Sequence, residues 1–129
     1  MEIIKKVLVT GGAGFLGTHL CQKLLNKNYK VICVDNYFSS ASNNISQFKS
    51  NKNFTFIKQD VCDLNITEKI DFIYNLACPA SPLHYQLDPV KTVKTNILGA
   101  LNVLELAKNN NATIFQASTS EVYGDPKVS

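Results

Sequence analysis

The sequence predicts an α/β fold, a single doubly wound parallel sheet with helices on both faces. Three observations carry that reading. Short, unbroken apolar runs recur along the chain, the pattern of strands buried on both faces. Helical or loop stretches separate them, so successive strands run parallel through right-handed crossovers. A glycine-rich turn joins the first strand to the first helix. The 129 residues amount to one modest domain, and an apolar content of 45% is that of a folded chain.

Taken in order, residues 7–10 (Val-Leu-Val-Thr) form the first strand, which ends in glycines. The spacing of Leu16, Leu20 and Leu24 predicts a helix from Phe15 to about Asn26, with those leucines on one face. Residues 31–34 form a second strand ending at Asp35. Residues 37–53 are rich in Ser and Asn, with few apolar anchors, and read as a loop with a short, weak helix. Residues 54–57 and 72–76 are the third and fourth strands. A long helix follows. Asp88 caps it, Pro89 suits its first turn, and Val90, Val93, Ile97, Leu101 and Leu104 recur at helical steps up to Asn109. Residues 113–117 form a fifth strand, and Gly124-Asp125-Pro126 breaks the chain. The expected strand order is 3-2-1-4-5, with the fold stopping at about the fifth strand.

Composition narrows the function. All thirteen basic residues are Lys, and the net charge is +3 with no polybasic patch, so neither nucleic acid nor an anionic membrane surface is an expected partner. No apolar run reaches the roughly 18 residues of a membrane span, and Met1 to Lys6 lacks a signal-peptide layout. Cys21, Cys33, Cys62 and Cys78 make no C-x-x-C pair and no zinc spacing with His19 or His84, so no metal site is expected. Four reduced thiols in the cytoplasm is the resulting expectation. Cys21 and Cys33 lie in apolar segments and read as core.

The sharpest motif is Thr10-Gly11-Gly12-Ala13-Gly14-Phe15-Leu16-Gly17, which contains Gly12-x-Gly14-x-x-Gly17 between a strand and a helix. Glycine lets the chain turn sharply and lets a diphosphate approach the backbone, where the helix's free N–H groups and positive dipole end bind it. Gly17 lets the helix pack closely on the sheet. Asp35 then stands at the tip of the second strand, where a carboxylate accepts bonds from both ribose hydroxyls of adenosine. It repels a 2′-phosphate, and no Arg is present to receive one, which favours NAD over NADP. Asp60-Val61 ends the third strand in the same crevice. Asp60 either holds the adenine amino group or is a plain turn residue.

These residues resemble the extended short-chain dehydrogenase/reductase superfamily, whose dinucleotide domain is the Rossmann fold. Asn75-Leu76-Ala77-Cys78-Pro79-Ala80-Ser81-Pro82, then His84-Tyr85-Gln86, Asn96 and residues 117–126 (Ala-Ser-Thr-Ser-Glu-Val-Tyr-Gly-Asp-Pro), narrow the resemblance to the UDP-glucuronate decarboxylases, which make UDP-xylose. The UDP-sugar 4-epimerases and dTDP-glucose 4,6-dehydratases share the glycine turn and Tyr123-Gly124, and are the alternative. The family chemistry is oxidation at C4 of the sugar, loss of CO₂ β to the new ketone, and return of the hydride. The resemblance implies that Gly11, Gly14, Phe15, Leu16, Gly17, Asp35, Asn36, Asp60, Val61, Leu76, Ala77, Cys78, Pro79 and Asn96 bind NAD. Pro79, Ala80, Ser81, His84 and Tyr85 would edge the sugar pocket, although His84 and Tyr85 also fit a plain surface loop. Thr119 would hydrogen-bond the reacting sugar oxygen, followed by Ser120, and Glu121 would manage charge or protons near the carboxylate-bearing carbon. Asn96 would support backbone near the active site, unless it is simply an exposed helix position.

The superfamily's base is a Tyr-x-x-x-Lys pair on a helix. Tyr123 and Lys127 have that spacing, but Gly124 and Pro126 between them do not suit a helix interior. The resemblance therefore implies that the catalytic pair, the sixth strand and the substrate domain lie beyond Ser129. Residues 1–129 would be a partial NAD-binding domain. On this reading a complementing C-terminal chain is a candidate partner, and the complete family enzyme is a homodimer joined through the long helix. The alternative is a non-catalytic nucleotide-binding remnant of a split or decayed gene. Phe38-Ser39-Ser40-Ala41-Ser42 replaces the family's usual Thr-Gly and basic residues on the adenosine side.

Overall fold

The computed structural model describes residues 3–125 and 127; Met1, Glu2 and Pro126, which enter the leader and chain-break readings, lie outside the described residues. Five strands form one parallel sheet in the order β3-β2-β1-β4-β5, as expected: β1 (Lys6–Thr10), β2 (Lys30–Asp35), β3 (Phe54–Lys58), β4 (Phe72–Asn75) and β5 (Thr113–Gln116). β1 is central, and Val7, Leu8, Val9 and Thr10 are all buried. Alternate residues feed two cores. Val7, Val9 and Cys33 pack with Leu24, Ile45 and Phe48 on one face. Leu8, Ile32 and Ile73 pack with Val61, Val103 and Ala107 on the other. The connections run outward in opposite directions from β1, so a crevice opens beyond the carboxyl ends of β1 and β4.

Helix α1 (Phe15–Asn26) covers the first face. Its buried residues are Gly17, Thr18, Cys21, Leu24 and Leu25, whereas Leu16 is 70% exposed and Leu20 only half-buried. The expected leucine face is thus rotated. Gly17 and Cys21 let the helix backbone approach the glycine turn, and a leucine in that row would hold it away. Cys21 and Cys33 are buried core thiols, as expected, and Cys21's hydrogen bond together with burial pushes the Cys33 thiol far up. Residues Ser42–Phe48 form a 3₁₀ helix anchored by buried Ile45 and Phe48, two anchors that the polar composition obscures.

The long helix is present in pieces. A short helix α2 (Pro82–Leu87) precedes α3 (Pro89–Lys94), and α3 runs through a π-helical turn (Thr95–Gly99) into α4 (Ala100–Asn110). Asp88 caps α3 as expected, its Oδ1 accepting from the Lys91 N–H at 2.9 Å. The buried side is not the apolar stripe. Thr95, Gly99, Val103 and Ala107 are buried, while Val90, Val93, Ile97, Leu101 and Leu104 point outward, with Ile97 55% and Leu101 56% exposed. Small residues win because the helix lies close against the turn after β3: a Cβ on Gly99 would sit 2.5 Å from Val61 Cγ1. β5 is also less buried than its apolar run suggests. It is an edge strand, and Phe115 is 55% exposed.

Candidate functional site

The crevice is a cavity of about 850 Å³ walled by the glycine turn, the ends of β2, β3, β4 and β5, and the start of the long helix. Gly11 adopts φ +68°, and its N–H donates to the Val34 carbonyl at 2.8 Å, so the turn locks onto β2. A Cβ on Gly11 would also lie 2.8 Å from the Leu76 carbonyl group of the neighbouring turn. A Cβ on Gly17 would lie 2.6 Å from the Gly12 Cα, so Gly17 packs α1 onto the turn itself rather than onto the sheet. Gly14 differs. A Cβ there would meet just the Gly11 carbonyl oxygen, at 3.3 Å, and its backbone (φ −72°, ψ 176°) suits any residue. It stands at the N-cap of α1, lines the cavity, and no side chain caps that helix end.

Asp35 ends β2 in the same cavity and is 8% exposed. Its Oδ2 accepts from the Ala13 N–H at 3.0 Å, and its Oδ1 accepts from the Tyr37 N–H and the Ser40 hydroxyl, both at 2.8 Å. Asp60, after β3, accepts from the Cys62 N–H at 2.9 Å, from Asn36 Nδ2 at 2.9 Å and from the Lys91 ammonium of α3. Burial pushes the Asp60 carboxyl up, but these donors, Lys91 above all, outweigh it and hold the group well below the usual carboxylate range. Lys91 is raised in turn by Asp60. Asp60 thereby joins the end of β2, through Asn36, to the long helix, through Lys91, and the lysine contact is one that sequence reasoning missed.

The opposite wall continues the sheet. Thr10 donates to Asn75, Asn75 donates to Gln116 at 2.8 Å, and Gln116 donates to the Ala117 carbonyl at 3.1 Å. This row of side chains crosses the carboxyl ends of β1, β4 and β5 and holds the exit of β5. Leu76, Ala77, Cys78, Pro79 and Ala80 follow β4 along the cavity. Ser81 caps α2, and its hydroxyl lies 2.7 Å from His84 Nδ1. Phe38, from the loop after β2, meets His84 edge-on at 6.4 Å across the mouth.

Every residue expected to bind NAD lines the cavity, as do Pro79, Ala80, Ser81, His84 and Tyr85. Asn96 is exposed and also supports backbone, donating to the Thr92 carbonyl at 3.0 Å. Of the three residues after β5, Thr119 and Glu121 line the cavity and Ser120 does not. A 3₁₀ turn (Ser120–Tyr123) ends at Tyr123, which is 90% exposed, and Gly124 follows at φ +72°, so helical geometry stops at Tyr123. Among the described residues, no cluster of His, Cys, Asp and Glu could hold a metal ion, and no helix is long and apolar enough to cross a membrane.

Strand order, glycine turn and the acidic tip of β2 together define a Rossmann-type α/β domain. The chain belongs to the GDP-mannose 4,6 dehydratase family, whose sequence model matches residues 8–129. It is similar to UDP-glucuronic acid decarboxylase 2 of Arabidopsis thaliana, with 52% identity over 94% of this chain and 27% of that protein. Among solved structures it resembles the UDP-N-acetylglucosamine 4-epimerase of Methanobrevibacter ruminantium in complex with UDP-N-acetylmuramic acid (34% identity, TM-score 0.84, 98% of this chain and 41% of that one). It also resembles the UDP-glucose 4-epimerase of Bifidobacterium longum in complex with NAD⁺ and UDP (33% identity, TM-score 0.80, 96% and 40%). The chain spans from 27% to 36% of the length of the curated plant relatives it matches.

Proposed function

We propose that the crevice binds NAD and that the chain supplies the cofactor-binding part of a UDP-glucuronate decarboxylase. Gly14 is the observation that carries the first half. A Cβ there meets one backbone oxygen at 3.3 Å, a tight contact but not the overlap found at Gly11 and Gly17, and the residue lies at an uncapped helix N-terminus facing a large cavity, which is what a diphosphate requires. Gly11, Gly14 and the first turn of α1 would hold the diphosphate, and Asp35 the adenosine ribose. Asp60 and Val61 would meet the adenine edge, and Leu76, Ala77, Cys78 and Pro79 the nicotinamide side. When bound, NAD⁺ supplies a hydride acceptor that later returns the hydride to the sugar.

The narrower activity rests on the decarboxylase relatives and on Thr119 and Glu121 at the cavity wall. Thr119 would donate a hydrogen bond to the oxygen at the oxidised sugar carbon, and Glu121 would handle charge near the departing carboxylate. A second reading, a UDP-sugar 4-epimerase, is favoured by the solved neighbours. Neither reading finds its general base in Tyr123. We place the Tyr-x-x-x-Lys pair and the remaining sugar-binding residues on a further region of the family enzyme, homodimeric through the outward stripe of the long helix. The cytoplasm, with its reduced thiols, is the setting this reading fits.

The test is conversion of UDP-glucuronate to UDP-xylose and CO₂ with NAD⁺. It compares the chain alone with the chain mixed with a polypeptide covering the remaining length of a plant relative. The chain alone should not turn over, since a positioned base contributes about 10²–10⁴-fold and sugar orientation more. Activity in the mixture, lost with Glu121→Ala, supports the proposal. Turnover by the chain alone, abolished by Tyr123→Phe, contradicts it, and epimerisation without CO₂ release favours the second reading.

A further inference from the structure

Asp35 already carries more donors than a ribose-reading carboxylate can keep. A carboxylate offers about four lone-pair sites, two on each oxygen. On Oδ1 both are taken, by the Tyr37 N–H and the Ser40 hydroxyl, each at 2.8 Å. On Oδ2 one is taken, by the Ala13 N–H at 3.0 Å, and one remains. A ribose that presents neighbouring hydroxyls to both oxygens needs one site on each.

The three donors are not equally able to leave. The Ala13 N–H belongs to the glycine turn, which is locked onto β2 through Gly11. The Tyr37 N–H is set by a left-handed backbone, φ 61°. The Ser40 hydroxyl turns about a single side-chain bond, and Ser40 lines the same cavity as Asp35. With Asp35 8% exposed, no further open flank exists for a second ribose contact.

We infer that Ser40 is a specificity-determining residue whose hydroxyl occupies, in the free protein, the Oδ1 site that one ribose hydroxyl of the cofactor must take. This rests on the reading of the crevice as an NAD site. Binding of the intact cis-diol breaks the Ser40–Asp35 bond and so costs affinity. An analogue lacking the hydroxyl that faces Oδ1 leaves the bond in place and forfeits less. Ser40 therefore lowers affinity for NAD and blunts discrimination against a deoxyribose in its place.

The experiment is calorimetric titration of the chain and of Ser40→Ala with NAD⁺ and with its two adenosine-monodeoxy analogues, lacking the 2′- or the 3′-hydroxyl. Ser40→Ala should bind NAD⁺ about 3–10-fold more tightly, the scale of one net hydrogen bond. Its affinity for one of the two analogues should stay unchanged. Ser40→Thr, which keeps the hydroxyl, should behave as the parent chain. NAD⁺ bound by the parent chain with equal or greater affinity than by Ser40→Ala overturns the role of Ser40 and leaves the NAD reading standing. So does an equal gain for NAD⁺ and both analogues. Failure of parent and variant alike to bind NAD⁺ overturns the NAD reading, and the role of Ser40 falls with it.

Discussion

Two alanine substitutions in one turn should have opposite effects. In Gly17→Ala the new methyl would lie 2.6 Å from the Gly12 Cα and 2.8 Å from the Gly12 carbonyl carbon. Both are backbone atoms of a turn that is itself bonded to β2, so α1 must move outward. Overpacking of this kind costs about 1–3 kcal/mol. In Gly14→Ala the methyl meets one atom, the Gly11 carbonyl oxygen at 3.3 Å, which must give by a few tenths of an ångström, while φ and ψ need no change, so stability should fall by about 1 kcal/mol or less, and by less than in Gly17→Ala. The Gly14 methyl would instead occupy cavity space against the uncapped first turn of α1. A diphosphate kept from that turn loses one or two charge-assisted hydrogen bonds of about 1.5 kcal/mol or more each, a loss of about 10- to 100-fold in NAD⁺ affinity. Urea unfolding and calorimetric titration of both variants read the two effects separately. A Gly14→Ala chain that keeps NAD⁺ affinity, or one that unfolds as easily as Gly17→Ala, would refute the assignment of Gly14 to a ligand.

Lys91→Met should lower stability by about 1–2 kcal/mol near pH 7, because it leaves the Asp60 carboxylate without its ionic partner. Asp60 is held below its usual 3.8, so its contribution is full above about pH 4 and fades as the pH falls through its lower folded value. Lys91 is held above its usual 10.5, so its contribution is full below that pH and fades above it. The gap between parent and variant in urea unfolding should therefore narrow below pH 4 and above pH 10.5. The outward stripe of the long helix should drive self-association of the chain, and Ile97→Lys with Leu101→Lys should reduce it. Sedimentation velocity across a concentration series checks this, and a parent chain that is monomeric at every concentration would contradict it.

Much of the fold was legible because it depends on local pattern. Unbroken apolar runs marked β1, β2 and β4, and the glycine turn between a strand and a helix placed the crevice. Asp88 followed by Pro89 marked the start of α3. The helix faces were not legible in the same way. Apolar periodicity selects the greasiest stripe, whereas close packing selected Gly17 and Cys21 on α1, against the glycine turn, and Thr95, Gly99, Val103 and Ala107 on the long helix. At close approach a small side chain is worth more than a large apolar one, and hydrophobicity does not record distance. Polar partnerships were hidden for another reason. Lys91 and Asp60 are 31 positions apart and Thr10 and Asn75 are 65 apart, so no local spacing announces either pair. Ser40 stood out in sequence just as an exception to a resemblance, and its bond to Asp35 is what gives that exception a physical meaning.

A paired titration with NAD⁺ and NADP⁺ decides whether this crevice reads the adenosine ribose of NAD through Asp35. A 2′-phosphate would bring its charge against a carboxylate that is 8% exposed, and all thirteen basic residues of the chain are Lys, with no Arg to receive it. NAD⁺ should bind at one site with at least about tenfold preference over NADP⁺, the equivalent of one unfavourable charge contact of about 1.4 kcal/mol. Asp35→Ala should narrow that preference. NADP⁺ bound as tightly as NAD⁺ or more tightly, or a preference that Asp35→Ala leaves unchanged, would contradict that role of Asp35.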